Sequence, residues 1–257
     1  MLKGNRLGVV LSVLLFGLTA CNKEVPQEQF LAPLAALASA AIAETDTRIN
    51  KAATLLKDEV AVLPQVARHL GIETEAEDAP VDWGGTPYMA VAVSDAGGKP
   101  VALFPRGSDS FAELLVAAAN GPAIGDLTIV PNTFTFTVGL SHQPEGTDHR
   151  LSALVEVDRV LLKEVLKPTA GSAGGYAFLA NGDQRVIVTT LPTLMGQAMN
   201  KWSIPVAAAG QTAVGEITVS GVGYYVATAT SPSANGWTVG VLVPVASAKT
   251  EDASKAD

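Results

Sequence analysis

The chain has 257 residues, with 17 Lys and Arg against 25 Asp and Glu, a formal charge of −8 and a single cysteine. An acidic surface of this kind repels nucleic acid and anionic lipid headgroups, and one cysteine excludes an internal disulfide. With 48% hydrophobic and only 16% charged residues, the composition is that of packed domains and excludes a solvated disordered polymer; the length suits one large domain or two small ones.

Lys3 and Arg6 form a short basic start, and residues 7–18 are apolar apart from Gly and one Ser. That run is shorter than the about 20 residues a spanning helix needs, and it has the length of a signal-peptide core. Leu18-Thr19-Ala20-Cys21 follows and resembles the bacterial lipobox. Small residues before the cut let the chain lie extended in a protease cleft, and the resemblance implies that the Cys21 thiol takes a diacylglycerol group. Residues 1–20 are then a lipoprotein signal peptide and 21–27 a lipidated tether. Loss of Lys3 and Arg6 with the signal peptide takes the formal charge to −10. Asn22 follows the cysteine, which by resemblance to enterobacterial sorting rules favours the outer membrane. The expected location is the cell envelope, facing the periplasm.

Residues 28–70 carry a helical stripe, with Phe30, Leu34, Leu37, Ala41, Ile49, Leu56, Val60, Leu63, Val66 and Leu70 mostly three or four apart. Pro33 stands near its start, Pro64 is expected to kink or divide it, and Gly71 to stop it. An acidic loop completes this unit, 28–80. From Tyr88 the texture becomes short strands. Tyr88–Ser94, the turn chemistry of 95–98 and residues 101–104 read as a hairpin. Ser110 is placed to cap a helix over 111–119; strands are expected at 128–130, 133–142 and 151–157, and Asp158 is placed to cap a helix over 159–166 ended by Pro168. The Gly/Ser/Ala run 171–175 reads as a linker between a module at 81–170 and a second at 171–245. In the second module a hairpin turns at Asn181-Gly182, a short helix is expected over 193–200, and three strands at 212–220, 223–230 and 237–243 close the unit. Residues 246–257 read as a disordered tail. The plan is α+β: one long N-terminal helix, then two modules, each an antiparallel sheet with short flanking helices, repeated in topology without obvious sequence repetition.

This plan resembles the double Cache superfamily, extracytoplasmic sensor domains with two PAS-like modules stacked behind a long helix. The likeness is carried by residues 88–98, by 151–157 running into the helix at 159, by 175–187, and by Tyr224 to Thr230 with Asn235-Gly-Trp-Thr-Val-Gly-Val-Leu-Val-Pro244. It implies a small-molecule sensor, with residues 81–170 as the membrane-distal module. Most such domains lie between two membrane helices, whereas this sequence has a lipobox at one end and a polar stretch at the other. A separate membrane sensor or other envelope protein would therefore read it. Amine- and amino-acid-binding members use an Arg, an aromatic pair and an Asp; Arg106, Phe111 and Asp158 fall in about the right region, without the Trp-Tyr step between.

The candidate ligand-binding residues are Tyr88, Arg106, Asp109, Phe111, Phe134, Phe136 and Asp158, taken as facing the concave side of the distal sheet. A pocket needs apolar walls and a few polar anchors; Arg suits a carboxylate and Asp an amine. Phe134 and Phe136 also show the alternation of any core strand, and Tyr176, Tyr224, Tyr225 and Trp237 read as core. His142 and His149 flank a turn with Glu145 and Asp148, which reads as solvated loop chemistry, and no metal or cofactor is expected. No nucleophile elbow, His-Glu-x-x-His or phosphate loop occurs, so no catalytic residue is assigned. The other reading is a structural lipoprotein that docks onto an envelope protein with its pocket filled. Replacing Cys21 by Ala should abolish palmitate labelling and leave the signal peptide uncut, both read on a gel of metabolically labelled cells; labelling that persists would remove the anchor.

Overall fold

The computed structural model describes residues 27–73, 81–105, 107–130, 135–233 and 235–245. The stretch read as a signal peptide (1–20), Cys21 and most of the expected tether, most of the acidic loop, Arg106, Phe134 and the tail expected over 246–257 lie outside the described residues.

The helical stripe folds as expected into one long helix, α1 (Gln27–Leu55). Its sequence is rich in Ala, the best helix former, and the buried positions Leu31, Leu34, Ala38, Ala41, Ile42, Thr45, Ile49 and Ala52 fall on one face. Thr45 is the one polar side chain in that stripe, and its hydroxyl donates to Ala41 O at 2.9 Å within the helix. The stripe then passes through a π-helical turn (Leu56–Val60), where Leu56 and Val60 stay buried. The division comes at 61–63, and Pro64 opens α2 (Pro64–Leu70) at a first-turn position where its missing N–H costs nothing. Leu63 is extended there (ψ 130), as a residue before proline prefers, and Gly71 closes α2 at φ 76.

The first sheet contains β1 (Tyr88–Ser94), β2 (Pro100–Phe104), β3 (Ile124–Ile129), β4 (Phe136–His142) and β5 (Arg150–Glu156) in the order β2-β1-β5-β4-β3. The second contains β6 (Tyr176–Ala180), β7 (Val186–Thr189), β8 (Thr212–Val219), β9 (Val222–Thr230) and β10 (Thr238–Pro244) in the order β7-β6-β10-β9-β8. All neighbours are antiparallel. The repeat expected in topology is therefore present: an edge hairpin, a crossover, and three strands whose last returns to the centre beside the first. The turns follow from side-chain chemistry. Asp95 Oδ1 accepts from the N–H groups of Gly97 and Lys99, and Asn181 Oδ1 accepts from that of Arg185.

Five local expectations change. A 3-10 turn (Ser108–Phe111) leads into α3 (Ala112–Asn120), and no side chain caps α3, so Ser110 is not a cap. Asp158 is not a cap either; it is the first residue of a π-helical segment (Asp158–Leu166) preceded by the helical Val157. That segment runs on into α4 (Lys167–Ala173) instead of ending at Pro168, which stands where i−5 bonding gives way to α winding. The run 171–175 is thus not a free linker. Gly171 is helical, Gly174 closes α4 at φ 63, and a Cβ on Gly175 would strike the Leu242 carbonyl. The helix expected over 193–200 is two 3-10 turns, Pro192–Leu194 and Met199–Trp202.

One hydrophobic core runs along α1 and takes in the helix-facing side of both sheets, from Val91, Val138 and Val155 to Ala177, Ala227, Val239 and Val241. The far sides carry separate clusters: a large one on the second sheet around Phe178, Leu194, Met199 and Val226, and a small one on the first around Ala90, Ala92, Leu115 and Leu154. Tyr176 and Tyr224 meet edge to face in the large cluster, while Trp237 and Tyr225 belong to the α1 side, so these aromatics are core as expected.

Candidate functional site

The two faces of the first sheet differ in side-chain size. On the α1 side stand Tyr88, Val91, Val93, Phe136, Val138, Leu140, Leu151 and Val155. The opposite face is built of small residues, with Ala90 and Ala92 on β1 beside Leu154 on β5. By strand alternation Ser94, Thr137, Gly139 and Ser152 share this face. Small side chains let α3 lie close: a Cβ on Gly139 would come 2.9 Å from Ala118 Cβ. Leu115 fills the middle, and Phe111, Leu103 and Leu114 form the rim. At the other end of α3, Arg150 Nη1 donates to Ala119 O at 2.7 Å, placing a cation at the helix C-terminus.

The Ser94 and Ser152 hydroxyls are the chemical anomaly of this face. Both residues are fully buried, and neither Oγ has a hydrogen-bond partner. Ser152 pairs in register with Ala92 and Ser94 with Arg150, so the two serines are diagonal neighbours. A buried hydroxyl without a partner costs about 1–3 kcal/mol.

The candidate residues separate into groups. Antiparallel pairing brings the ends of β2, β3 and β5 and the starts of β1 and β4 to one end of the sheet, so Tyr88, Asp109, Phe111, Phe136 and Asp158 gather there. They do not share a face. Tyr88 and Phe136 turn to α1 instead of the concave side; Tyr88 is 5% exposed and its hydroxyl donates to Ala52 O at 2.6 Å. Burial and Glu59 raise the Tyr88 pKa, so the hydroxyl stays protonated and remains a donor. A register shift between Tyr88 and Ala90 puts Tyr88 on that side. Phe111 does lie at the α3 rim, whereas Asp109 is exposed on the 3-10 turn. Asp158 is part-buried, and burial, then Glu156, raise its pKa while Lys167 lowers it. Nearby Arg159 pairs with Glu156 and donates to the carbonyls of Gly84 and Thr86, fastening the chain that enters β1.

Sequence reasoning missed the residues that join the modules. Trp237 Nε1 donates to Asp126 on β3 at 2.7 Å, and Asn235 Nδ2 to Gly125 O at 3.3 Å. The same β9–β10 turn holds Ser231, whose hydroxyl lies 2.9 and 2.8 Å from the two carboxylate oxygens of Asp46 on α1. The Gly-Trp step was the available signal, and it marked a core strand without showing its partner. Among the described residues no group of three His, Cys, Asp or Glu is placed to hold a metal ion, and no helix is long and apolar enough to cross a membrane.

No protein-family model matches the chain, and no curated protein sequence matches it. Solved structures do. The ligand-binding domain of the Pseudomonas aeruginosa amino acid chemoreceptor PctB, in complex with L-Arg, is 14% identical with a TM-score of 0.52, over 86% of this chain and 97% of that one. The ligand-binding domain of the Pseudomonas fluorescens chemoreceptor CtaA with L-serine is 16% identical with a TM-score of 0.58, over 85% and 98%. The extracellular domain assigned to the histidine kinase rpHK1S-Z16 is 14% identical with a TM-score of 0.59, over 88% and 98%. At these identities the likeness shows the fold alone: a long N-terminal helix followed by two modules, each an antiparallel sheet with short helices.

Because each serine hydroxyl is buried without a partner, Ser94→Ala and Ser152→Ala should each stabilise the ligand-free protein by about 1 kcal/mol. Urea unfolding should then show a higher midpoint at unchanged slope. A loss of stability in both variants would mean that the hydroxyls are satisfied in solution.

Proposed function

We propose that this protein is a lipid-anchored, periplasm-facing sensor domain that binds a small molecule in its membrane-distal module, residues 81–170, and acts through a separate membrane signalling partner. The observation that carries the reading is the pair of buried, unpartnered hydroxyls between the distal sheet and α3. A core has no use for unpaired polar groups, whereas a ligand offering donors or acceptors there would satisfy both. Phe111 at the rim supplies an apolar wall, and the Asp158 carboxylate at the loop end suits an amine. Two proteins with this fold, the chemoreceptors PctB and CtaA, were solved with amino acids bound, and a third, PctC, with GABA. That record supports an amino acid or amine as the ligand class. No catalytic step is proposed.

Leu115 and Ala118 sit directly on the sheet, so a ligand entering from this side requires α3 to lift. Binding would then favour a lifted state over the packed one. The same close packing also favours the second reading, in which α3 never lifts and the protein only docks onto another envelope protein.

A thermal-shift screen of the purified protein against amino acids, polyamines, organic acids and nucleobases separates the two. A ligand at 100 times its Kd should add about 2.7 kcal/mol of stability. The shift should shrink in the double variant Ser94→Ala/Ser152→Ala and in Asp158→Asn. Silence across the whole library would leave the docking reading.

A further inference from the structure

On the other side of the molecule a half-open cleft of ≈ 190 Å³ lies between α1 and the second module. Ile42, Ala43 and Asp46 line it from the helix, and Gln211, Ala229 and Thr230 from the sheet side. Its size exceeds the ~150 Å³ cavity that holds a benzene-sized guest. Among the described residues, Asp46 is the only charged one in its wall. A carboxylate offers about four acceptor positions, and the hydrogen bonds of Asp46 come from one hydroxyl proton, that of Ser231. Among the described residues no Lys, Arg or His forms an ion pair with Asp46; Arg48, two residues on, turns to Glu44 and Glu164. Burial raises the Asp46 pKa, and the hydrogen bond from Ser231 works against that rise. The Thr230 hydroxyl is already committed to Ala207 O and Thr238.

The chemistry of this cleft is one-sided: spare anionic acceptors over an apolar floor. An anion would be repelled. A hard metal ion wants six or more oxygens, and one carboxylate does not supply them. We propose that the cleft binds a small organic ammonium ion, whose N–H groups take the free lone pairs of Asp46 while its alkyl part lies on Ile42, Ala43 and Ala229. This site is separate from the distal module and does not depend on the reading given for it. Because Asp46 also holds Ser231, an occupant would fasten α1 to the β9–β10 turn.

Isothermal titration calorimetry of the full protein with ethylammonium, ethanolamine and putrescine tests the assignment, with propionate and propanol as controls of similar size. Saturable heat from at least one ammonium and none from propionate is expected. Asp46→Asn keeps the shape and should weaken binding about tenfold or more, the scale of a lost charge-assisted hydrogen bond. Ala43 is exposed, so Ala43→Leu should leave the melting curve intact, fill the cleft and weaken binding equally. Absence of binding by every ammonium, or wild-type affinity in both variants, would overturn the proposal. So would ammonium binding that is lost in Ser94→Ala/Ser152→Ala or Asp158→Asn, since that would place the amine in the distal module.

Discussion

One apolar stripe on one helix serves two sheets, and the rest of the molecule is arranged around that economy. Neither five-stranded sheet can leave its inner face in water: α1 lies on the second sheet, and its π-helical extension with α2 carries the same core onto the first. The stripe runs from Leu31 to Val60 in steps of three and four, with Thr45 satisfied inside the helix so that no polar gap opens. The π turn admits an extra residue just where the helix passes onto the first sheet, near Tyr88, whose hydroxyl is tied to Ala52. A continuous core of this kind makes a change at one sheet a change in the seat of the helix.

The β9–β10 turn is the second junction. Within a few residues it binds α1 through Ser231 and Asp46 and the first sheet through Trp237 and Asp126. Trp237 is 1% exposed and packed in the shared core, so its indole N–H had to find a partner, and the partner belongs to the other module. Helix, first sheet and second sheet thus meet at one short turn. A ligand that moved α3 and its sheet, or one seated against Asp46, would act on the same three-way contact.

Much of this architecture was legible from residue spacing. The three-four stripe gave the long helix, and two hairpins each followed by helix and three strands gave the tandem modules. What spacing did not convey was sidedness and context. Alternation says that Tyr88 and Phe136 lie on a face without saying which face meets α1, and a bulge beside Tyr88 breaks the alternation itself. Pro168 and the small residues 171–175 carry breaker chemistry, yet tertiary packing keeps the helix going to Ala173. Ser94 and Ser152 look like ordinary strand serines until burial shows their hydroxyls stranded. Asp46 and Asp126 look like solvated carboxylates until the turn that meets them is placed beside them.

The claim on which the account rests is that both sheets share one core through α1 and unfold as one unit. The direct measurement is urea unfolding of two variants that both retain the junction residue Trp237, Trp202→Phe keeping Trp83 beside the first sheet and Trp83→Phe keeping Trp202 in the second, each followed by fluorescence and by far-ultraviolet circular dichroism. Coincident fluorescence and circular-dichroism midpoints within each variant are predicted. Two separated transitions, one reported by each tryptophan, would show that the modules stand alone and that α1 does not join them.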